Sequence, residues 1–377
     1  MPRSIGQFVS KRADAVDASG IRKVFDLAAK MKDPINLSIG LPDFDVPDVV
    51  KESAIDAIRR GENRYTQTQG IAPLRERLRS DLSREIGRDV GEVLITSGVS
   101  GGLLLAILAV IDPGDEAVFL DPYFVMYKHL LTVAGGKSVI VDSYPDFRFH
   151  AERVKRAITP RTKMLILNSP CNPTGIVMTE SEIRAAVEIA KKHDLLILSD
   201  EIYEPFLYDV KRGVGELYSP AVLYEKTIIL RGFSKSHAMT GWRLGYAAGP
   251  EQIIAGMTKL QQYTFVCAPS PLQHAALKAL DVPMNNAVDA YRHKRDIVFE
   301  MLSKKFDLSG KPGGAFYIFP KSPRGISATD FVTKAIENNV LIIPGGVFSE
   351  RDTHFRISYA TTDEKLKRGC EILCSLA

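Results

Sequence analysis

The sequence predicts an α/β protein: a three-layer α/β/α large domain with a mostly parallel sheet, plus a smaller α/β domain formed by both chain ends. From about residue 90 onward, short apolar runs alternate with helix-length stretches. These runs lack the polar alternation of half-exposed strands, so they read as strands buried on both faces of a parallel sheet. The two ends differ from this middle in texture, which places the domain divisions at 1–45, 46–284 and 285–377.

Residues 1–45 hold a short helix, Ile21 to Met31, and an extended Pro-rich segment. Val93-Leu94-Ile95-Thr96 reads as a strand and Gly101 to Ile111 as a helix. Ala117-Val118-Phe119-Leu120 and Ser138-Val139-Ile140-Val141 read as strands with a helical stretch between them. Met164-Leu165-Ile166-Leu167 is a strand, Glu180 to His193 a helix, and Leu195-Leu196-Ile197-Leu198 another strand. Ile228 to Leu230 and Leu244 to Ala247 are short β candidates. Connections between the parallel strands should be right-handed crossovers. The last part opens with a charged helix, Val288 to Ser303, continues through strands at Ala315–Ile318 and Phe355–Ser358, and closes on a helix, Thr362 to Leu376.

The chain has 377 residues, 45% hydrophobic and 25% charged, which is enough to bury a core in more than one domain. Its net charge of +4 is too weak to argue for a nucleic-acid partner. Cys171, Cys267, Cys370 and Cys374 form no CxxC pair and read as reduced thiols. The histidines are scattered without metal-ligand spacing. The longest uncharged apolar run, Gly102 to Ile111, is too short to span a bilayer, and the N-terminus has no apolar signal core. A cytoplasmic protein without membrane or nucleic-acid partners is expected.

In an open α/β sheet, ligands bind beyond the carboxyl ends of the strands. Polar residues fall there repeatedly. Ser234 and Lys235 follow the Thr227–Leu230 run, and Gly241-Trp242-Arg243 lies just beyond. An amine beside a hydroxyl and a fixed cation is what a lysine-bound pyridoxal phosphate needs. Asp200 ends the Leu195–Ser199 run, and Tyr203 lies three residues on. Asn172 opens an Asn-Pro-Thr-Gly turn after Leu165–Asn168. Ser100 starts a helix, where backbone N–H groups favour an anion. Each has an ordinary explanation: a cap for Asp200, a turn for Asn172, core packing for Tyr203, a polar loop for Ser234 and Lys235. Their recurrence at successive sheet exits is what such explanations leave out.

Taken in order, these segments resemble the class I/II aminotransferases, the fold-type-I pyridoxal phosphate enzymes of the aspartate aminotransferase superfamily. The resemblance runs from Asn36 to Ser358. It rests on Ser38-Ile39-Gly40-Leu41-Pro42-Asp43-Phe44, Tyr65 with Gly70, and Asn168-Ser169-Pro170-Cys171-Asn172-Pro173-Thr174-Gly175. It continues through Asp200-Glu201-Ile202-Tyr203, Ser234-Lys235, Gly241-Trp242-Arg243 and Phe355-Arg356-Ile357-Ser358.

The resemblance implies a homodimer that moves an amino group from an L-amino acid to a 2-oxo acid in a ping-pong cycle. Lys235 would hold pyridoxal 5'-phosphate as a Schiff base and shuttle the Cα proton. Asp200 would pair with the ring nitrogen, and Asn172 and Tyr203 with the ring oxygen. Ser100, Ser234, Arg243 and the backbone at Val99 would hold the phosphate, and Phe124 would stack on the ring. Tyr65 would reach the phosphate in the neighbouring subunit. Arg356 would clamp the substrate carboxylate, helped by Asn172 and the backbone of Gly40. Leu41 and Ser100 depart from the family pattern, where many relatives carry Glu and some acidic-substrate relatives carry Lys; the second departure puts aspartate preference in doubt.

Other readings compete. A C–S β-lyase of the same cofactor class would use the same cofactor residues. Gly98-Val99-Ser100-Gly101-Gly102 also fits the nucleophile elbow of a serine hydrolase, with Asp200 and His354 following in the right order. That reading leaves Lys235, Asn172, Tyr203, Arg243 and Arg356 without a role. Gly136-Lys137-Ser138 is no P-loop, because position 131 is Leu and a strand should follow.

Overall fold

A computed structural model describes residues 4–17, 20, 29, 31–209 and 219–377. The helix expected over Ile21–Met31 lies almost wholly outside the described residues. After β1 (Ile35–Asn36), seven strands build the central sheet. They are β2 (Glu92–Ser97), β3 (Glu116–Asp121), β4 (Lys137–Asp142), β5 (Thr162–Asn168), β6 (Leu196–Asp200), β7 (Thr227–Gly232) and β8 (Leu244–Gly249). Their order in space is β2-β8-β7-β6-β5-β3-β4, and only β8 runs antiparallel to its neighbours. The reason lies in the connections. Parallel neighbours need a long crossover, whereas ten-odd residues carry β7 straight back into β8. That short return later places two cations at one end of the sheet.

Apart from the edge strand β4, whose residues are mostly half-buried, the strands of the central sheet are buried on both faces. In β5, Met164 and Ile166 pack with the helix Gly98–Val110, while Leu165 and Leu167 pack with the helix Glu180–His193. This is the physical content of the three layers: alternate side chains of an all-apolar strand enter two different cores. The helix Glu180–His193 starts on a Thr179–Glu182 capping box. A third cluster packs the helices Ala72–Ile86 and Ser270–Ala279 beneath β2 and β8.

The C-terminal part carries the helix Asn285–Leu302, then β9 (Tyr317–Ile318), the helix Ala328–Glu337, β10 (Val340–Leu341), β11 (Ile343–Pro344), β12 (Phe355–Ser358) and the helix Asp363–Leu376. β1 pairs in parallel with β10, so the beginning of the chain is tied to its end. β11, β12 and β9 form a separate antiparallel sheet.

Several expected boundaries shift. The helix expected from Gly101 begins at Gly98, directly on the end of β2. The strand expected from Ala315 begins at Tyr317, because Ala315 takes a left-handed φ of 55°. The helix expected from Val288 begins at Asn285. The helices Asp48–Arg59, Ala72–Ile86, Glu251–Thr264, Ser270–Ala279 and Ala328–Glu337 were not among the expected elements. Most are amphipathic surface helices whose charged faces obscure the apolar stripe.

Candidate active site

A cavity of about 340 Å³ opens beyond the carboxyl ends of β5, β6 and β7. It is lined by Gly40, Val99, Ser100, Phe124, Asn172, Asp200, Tyr203, Ser234, Lys235, Arg243 and Arg356. These are all the residues singled out from the sequence except Tyr65, which lies outside the cavity and is 85% exposed. The fold brings them together because the parallel strands all end on one side. Asn168 and Asp200 are register partners at the ends of β5 and β6.

Lys235 sits on a single helical turn, Phe233–Ser236, that caps the end of β7. Its Nζ donates to the carbonyl of Gly40 at 2.6 Å. Burial pushes the Lys235 amine down to about 8, and Arg356 and Arg243 add to the effect. A lysine in that range keeps an appreciable neutral fraction near physiological pH, although most of it is still protonated there; an ordinary surface lysine keeps almost none.

The return into β8 brings Arg243 to the same end. Arg243 has a left-handed φ of 54°, a strained conformation for a side chain of this size. Its guanidinium reaches the N-terminus of the helix Gly98–Val110: a Cβ on Gly98 would lie 2.8 Å from Arg243 Nη2. Gly98 itself has a φ of 67°, so glycine answers both a backbone and a space requirement there. No side chain caps this helix, and its first N–H groups point to the end where Ser100 and Arg243 line the cavity.

Asp200 is buried on the opposite wall. Its Oδ2 accepts from the Tyr127 hydroxyl at 2.7 Å, and its Oδ1 faces the Ile202 N–H at 3.4 Å. Burial raises the carboxyl to about 6, and the Tyr127 hydrogen bond opposes that rise. Among the described residues no cation pairs with it.

Arg356 is 1% exposed, and its charge is also unmatched. Nη1 donates to Asn172 Oδ1 at 2.9 Å and Nη2 to the Ser38 carbonyl at 2.6 Å. Nε is buried without a hydrogen-bond partner. The guanidinium lies over two rings, 4.5 Å from the centre of Tyr317 and 4.6 Å from that of Phe348. Among the described residues no carboxylate meets it. A buried cation held only by neutral oxygens and ring faces is costly unless an anion completes it.

These observations suit pyridoxal phosphate. The uncapped helix end with Arg243 matches a phosphate. A buried carboxylate lacking a cation matches a protonated ring nitrogen. Lys235 offers the amine, and Phe124 a ring face.

Sequence reasoning missed Tyr127 and Tyr317. Tyr127 lies three residues past Phe124 at the start of the helix Met126–Ala134, and their rings meet edge-on at 5.8 Å. Phe124 lies before the helix begins, so helical spacing offered no signal for Tyr127. Tyr317 lay inside an expected strand, yet no local pattern says what a strand residue will touch.

The hydrolase reading fails on geometry. Ser100 does line the cavity, but His354 lines a separate cleft with Lys321 and Arg351. There it stacks on Phe319 and bonds Thr353 Oγ1 at 2.9 Å. The Asp200 carboxylate meets Tyr127 and the Ile202 N–H instead of a histidine. Lys137 starts β4, as the rejection of a P-loop required.

Residues 32–373 match the family described as Aminotransferase class I and II. The chain is 39% identical to the aspartate aminotransferase of Pyrococcus abyssi over 96% of each sequence. It is 38% identical to aromatic-amino-acid aminotransferase 2 of Thermococcus litoralis, again over 96% of each. Among solved structures, the aspartate aminotransferase of Thermus thermophilus with maleate superposes with a TM-score of 0.92 at 35% identity. That match covers 98% of this chain and 99% of the other. With this fold and this cavity, the chain belongs to the class I and II aminotransferases and is a pyridoxal phosphate-dependent enzyme acting on amino acids and 2-oxo acids.

Proposed function

We propose that the two half-reactions of this aminotransferase run at the single cavity, with Lys235 as the group that moves protons. The observation that carries the reading is charge. Lys235 and Arg356 are cations deep in one cavity, with no carboxylate on either among the described residues. Arg243 adds a third at its phosphate-binding end.

Bound pyridoxal phosphate supplies an aldehyde carbon that exchanges amines and a ring that accepts the electron pair left at Cα. The protein does the rest. Arg356 holds the substrate carboxylate through its unused N–H groups, and the two rings it meets restrict how the fork can move. Lys235 Nζ would take the proton from Cα and place it on the cofactor's aldehyde-derived carbon within the same half-reaction, and would move it the opposite way in the second half-reaction. Asp200 holds a proton on the ring nitrogen, with Tyr127 keeping the carboxylate oriented. Asn172 and Tyr203 hold the ring oxygen. Ser100, Ser234, Arg243 and the backbone at Val99 hold the phosphate. Gly40 and Asn172 support the carboxylate clamp.

The test is the visible spectrum of the loaded enzyme, recorded before and after each amino acid of a mixed panel. Conversion of the yellow band to the amine form is expected with at least one donor. Aspartate and the aromatic amino acids, which the relatives' names suggest, come first. A spectrum that no amino acid changes would overturn the reading.

We also propose a homodimer with shared sites, a cytoplasmic location, and the domain divisions 1–45, 46–284 and 285–377. Exposed Tyr65, Tyr263, Phe265 and Val266 support the dimer, since large bare apolar side chains mark contact surfaces. Among the described residues all four cysteines are free and no helix is long and apolar enough to cross a membrane. Light scattering should give twice the chain mass; a monomer would exclude a shared site.

A further inference from the structure

We propose that Tyr317 is a positioning residue that holds Tyr203 through its hydroxyl and Arg356 through its ring, so that one side chain from the C-terminal sheet sets both the ring-oxygen partner and the carboxylate clamp. The inference rests on the roles proposed above for Tyr203 and Arg356.

Four observations meet on this residue. The Tyr317 and Tyr203 hydroxyls are 2.7 Å apart and buried. The Arg356 guanidinium lies over the Tyr317 ring at 4.5 Å. The Tyr203 and Tyr317 rings meet edge-on at 5.4 Å, which fixes the angle between the two phenols. Finally, Tyr317 presses on the strand-free segment at Gly40, where a Cβ would fall 1.9 Å from its hydroxyl oxygen. The Gly40 carbonyl is the acceptor for Lys235. Tyr317 is 1% exposed yet lines the cavity, and it belongs to β9, which pairs with the strand that carries Arg356.

The chemistry of the pair follows from counting hydrogens. Each phenol has one O–H to donate. With Tyr317 donating to Tyr203, the Tyr203 hydrogen stays available for the ring oxygen of the cofactor, and its oxygen, already accepting, makes that hydrogen a better donor. A hydrogen bond to the ring oxygen stabilises its negative charge, which lowers the pH at which the bound cofactor loses its imine proton. The Tyr317 ring acts separately. It is one of two rings, with Phe348, whose faces the guanidinium carbon meets at 4.5 and 4.6 Å, and these contacts restrict how the fork can move.

Two substitutions separate the two arms. Tyr317→Phe keeps the ring and removes only the hydroxyl. Its visible pH titration should move up by about half a unit or more, the worth of one hydrogen bond, with KM for the amino acid unchanged. Tyr317→Leu removes the ring as well. It should show the same titration shift and a KM raised about tenfold. Binding of a 2-oxo acid to the cofactor-free protein, measured by calorimetry, should weaken in Tyr317→Leu and not in Tyr317→Phe. A merely structural tyrosine would move neither the titration of Tyr317→Phe nor the split between the two variants.

An unmoved titration in Tyr317→Phe, which preserves packing, overturns the hydroxyl arm. Unchanged carboxylate affinity in a folded Tyr317→Leu protein overturns the ring arm. If Arg356→Ala also leaves carboxylate affinity unchanged, the clamp itself is wrong. If Arg356→Ala weakens it and Tyr317→Leu does not, only the present inference fails.

Discussion

Lys235→Ala is expected to melt cooperatively, bind the cofactor only reversibly, and lose turnover by about 10⁴-fold, the upper range for a lost general acid–base. The reason is local. Lys235 Nζ is the amine buried in the cavity, and its hydrogen bond to the Gly40 carbonyl holds it there. A variant that keeps even a tenth of wild-type turnover would remove Lys235 from the mechanism.

The depressed lysine also has a pH signature. Capture of the cofactor aldehyde needs the neutral amine. Loading of the cofactor-free enzyme should therefore speed up with pH and level off near 8, where burial places this group. An ordinary lysine would keep accelerating past 10. Stability follows the same shift with the opposite cost. The Lys235 amine is lowered in the folded chain from 10.5, so its contribution to stability is full above that value and is lost as pH falls through about 8. Asp200 behaves inversely: raised from 3.8 to about 6, it contributes fully below the first value and loses that contribution as pH rises through the second. Between about 6 and 8 the cofactor-free protein carries both penalties. Cofactor-free Lys235→Met, close to lysine in volume, should be more stable than cofactor-free wild type at pH 7, by about 2 kcal/mol. The gap should close as pH rises toward 10.5. A less stable Lys235→Met at pH 7 would contradict the burial of a charged amine.

Arg356→Ala is expected to raise KM for every α-carboxylate substrate by about 100-fold, equivalent to about 3 kcal/mol for a desolvated charge pair. The effect should not depend on the substrate's side chain, because the guanidinium meets only the group all amino acids share. Arg356→Lys should recover little of it. A lysine brings a point charge but not the planar fork, and it cannot keep both neutral contacts, to Asn172 and to Ser38. The comparison also tests the energetic argument for the site. The wild-type chain keeps this guanidinium buried with Nε unpaired. Removing it should not destabilise the cofactor-free protein as removal of a paired buried charge would. A KM that rises for some substrates and not others would move Arg356 from the carboxylate clamp to side-chain recognition.

Much of this molecule was legible from its sequence, and for a definite reason. Apolar runs such as Met164–Leu167 declare buried strands wherever they occur, because a strand covered on both faces needs no polar side. Once the strands are placed, the rule that ligands sit beyond their carboxyl ends picks out Asp200, Asn172, Ser234 and Lys235 without coordinates. The matching order of segments along the chain then identified the family. What local pattern left out was whatever depends on distant chain segments meeting. His354 had the right order for a triad with Ser100 and Asp200, yet folding carries it to another cleft. Tyr127 touches Asp200 across 73 positions, Tyr317 touches Tyr203 across 114, and Arg356 reaches the Ser38 carbonyl across 318. The sequence by itself determined which residues face the sheet's open end. Only the tertiary structure decided which of them touch, because strand ends are set by local hydrophobic period, while contacts depend on how β1 joins β10 and how β9 and β12 pack over the cavity.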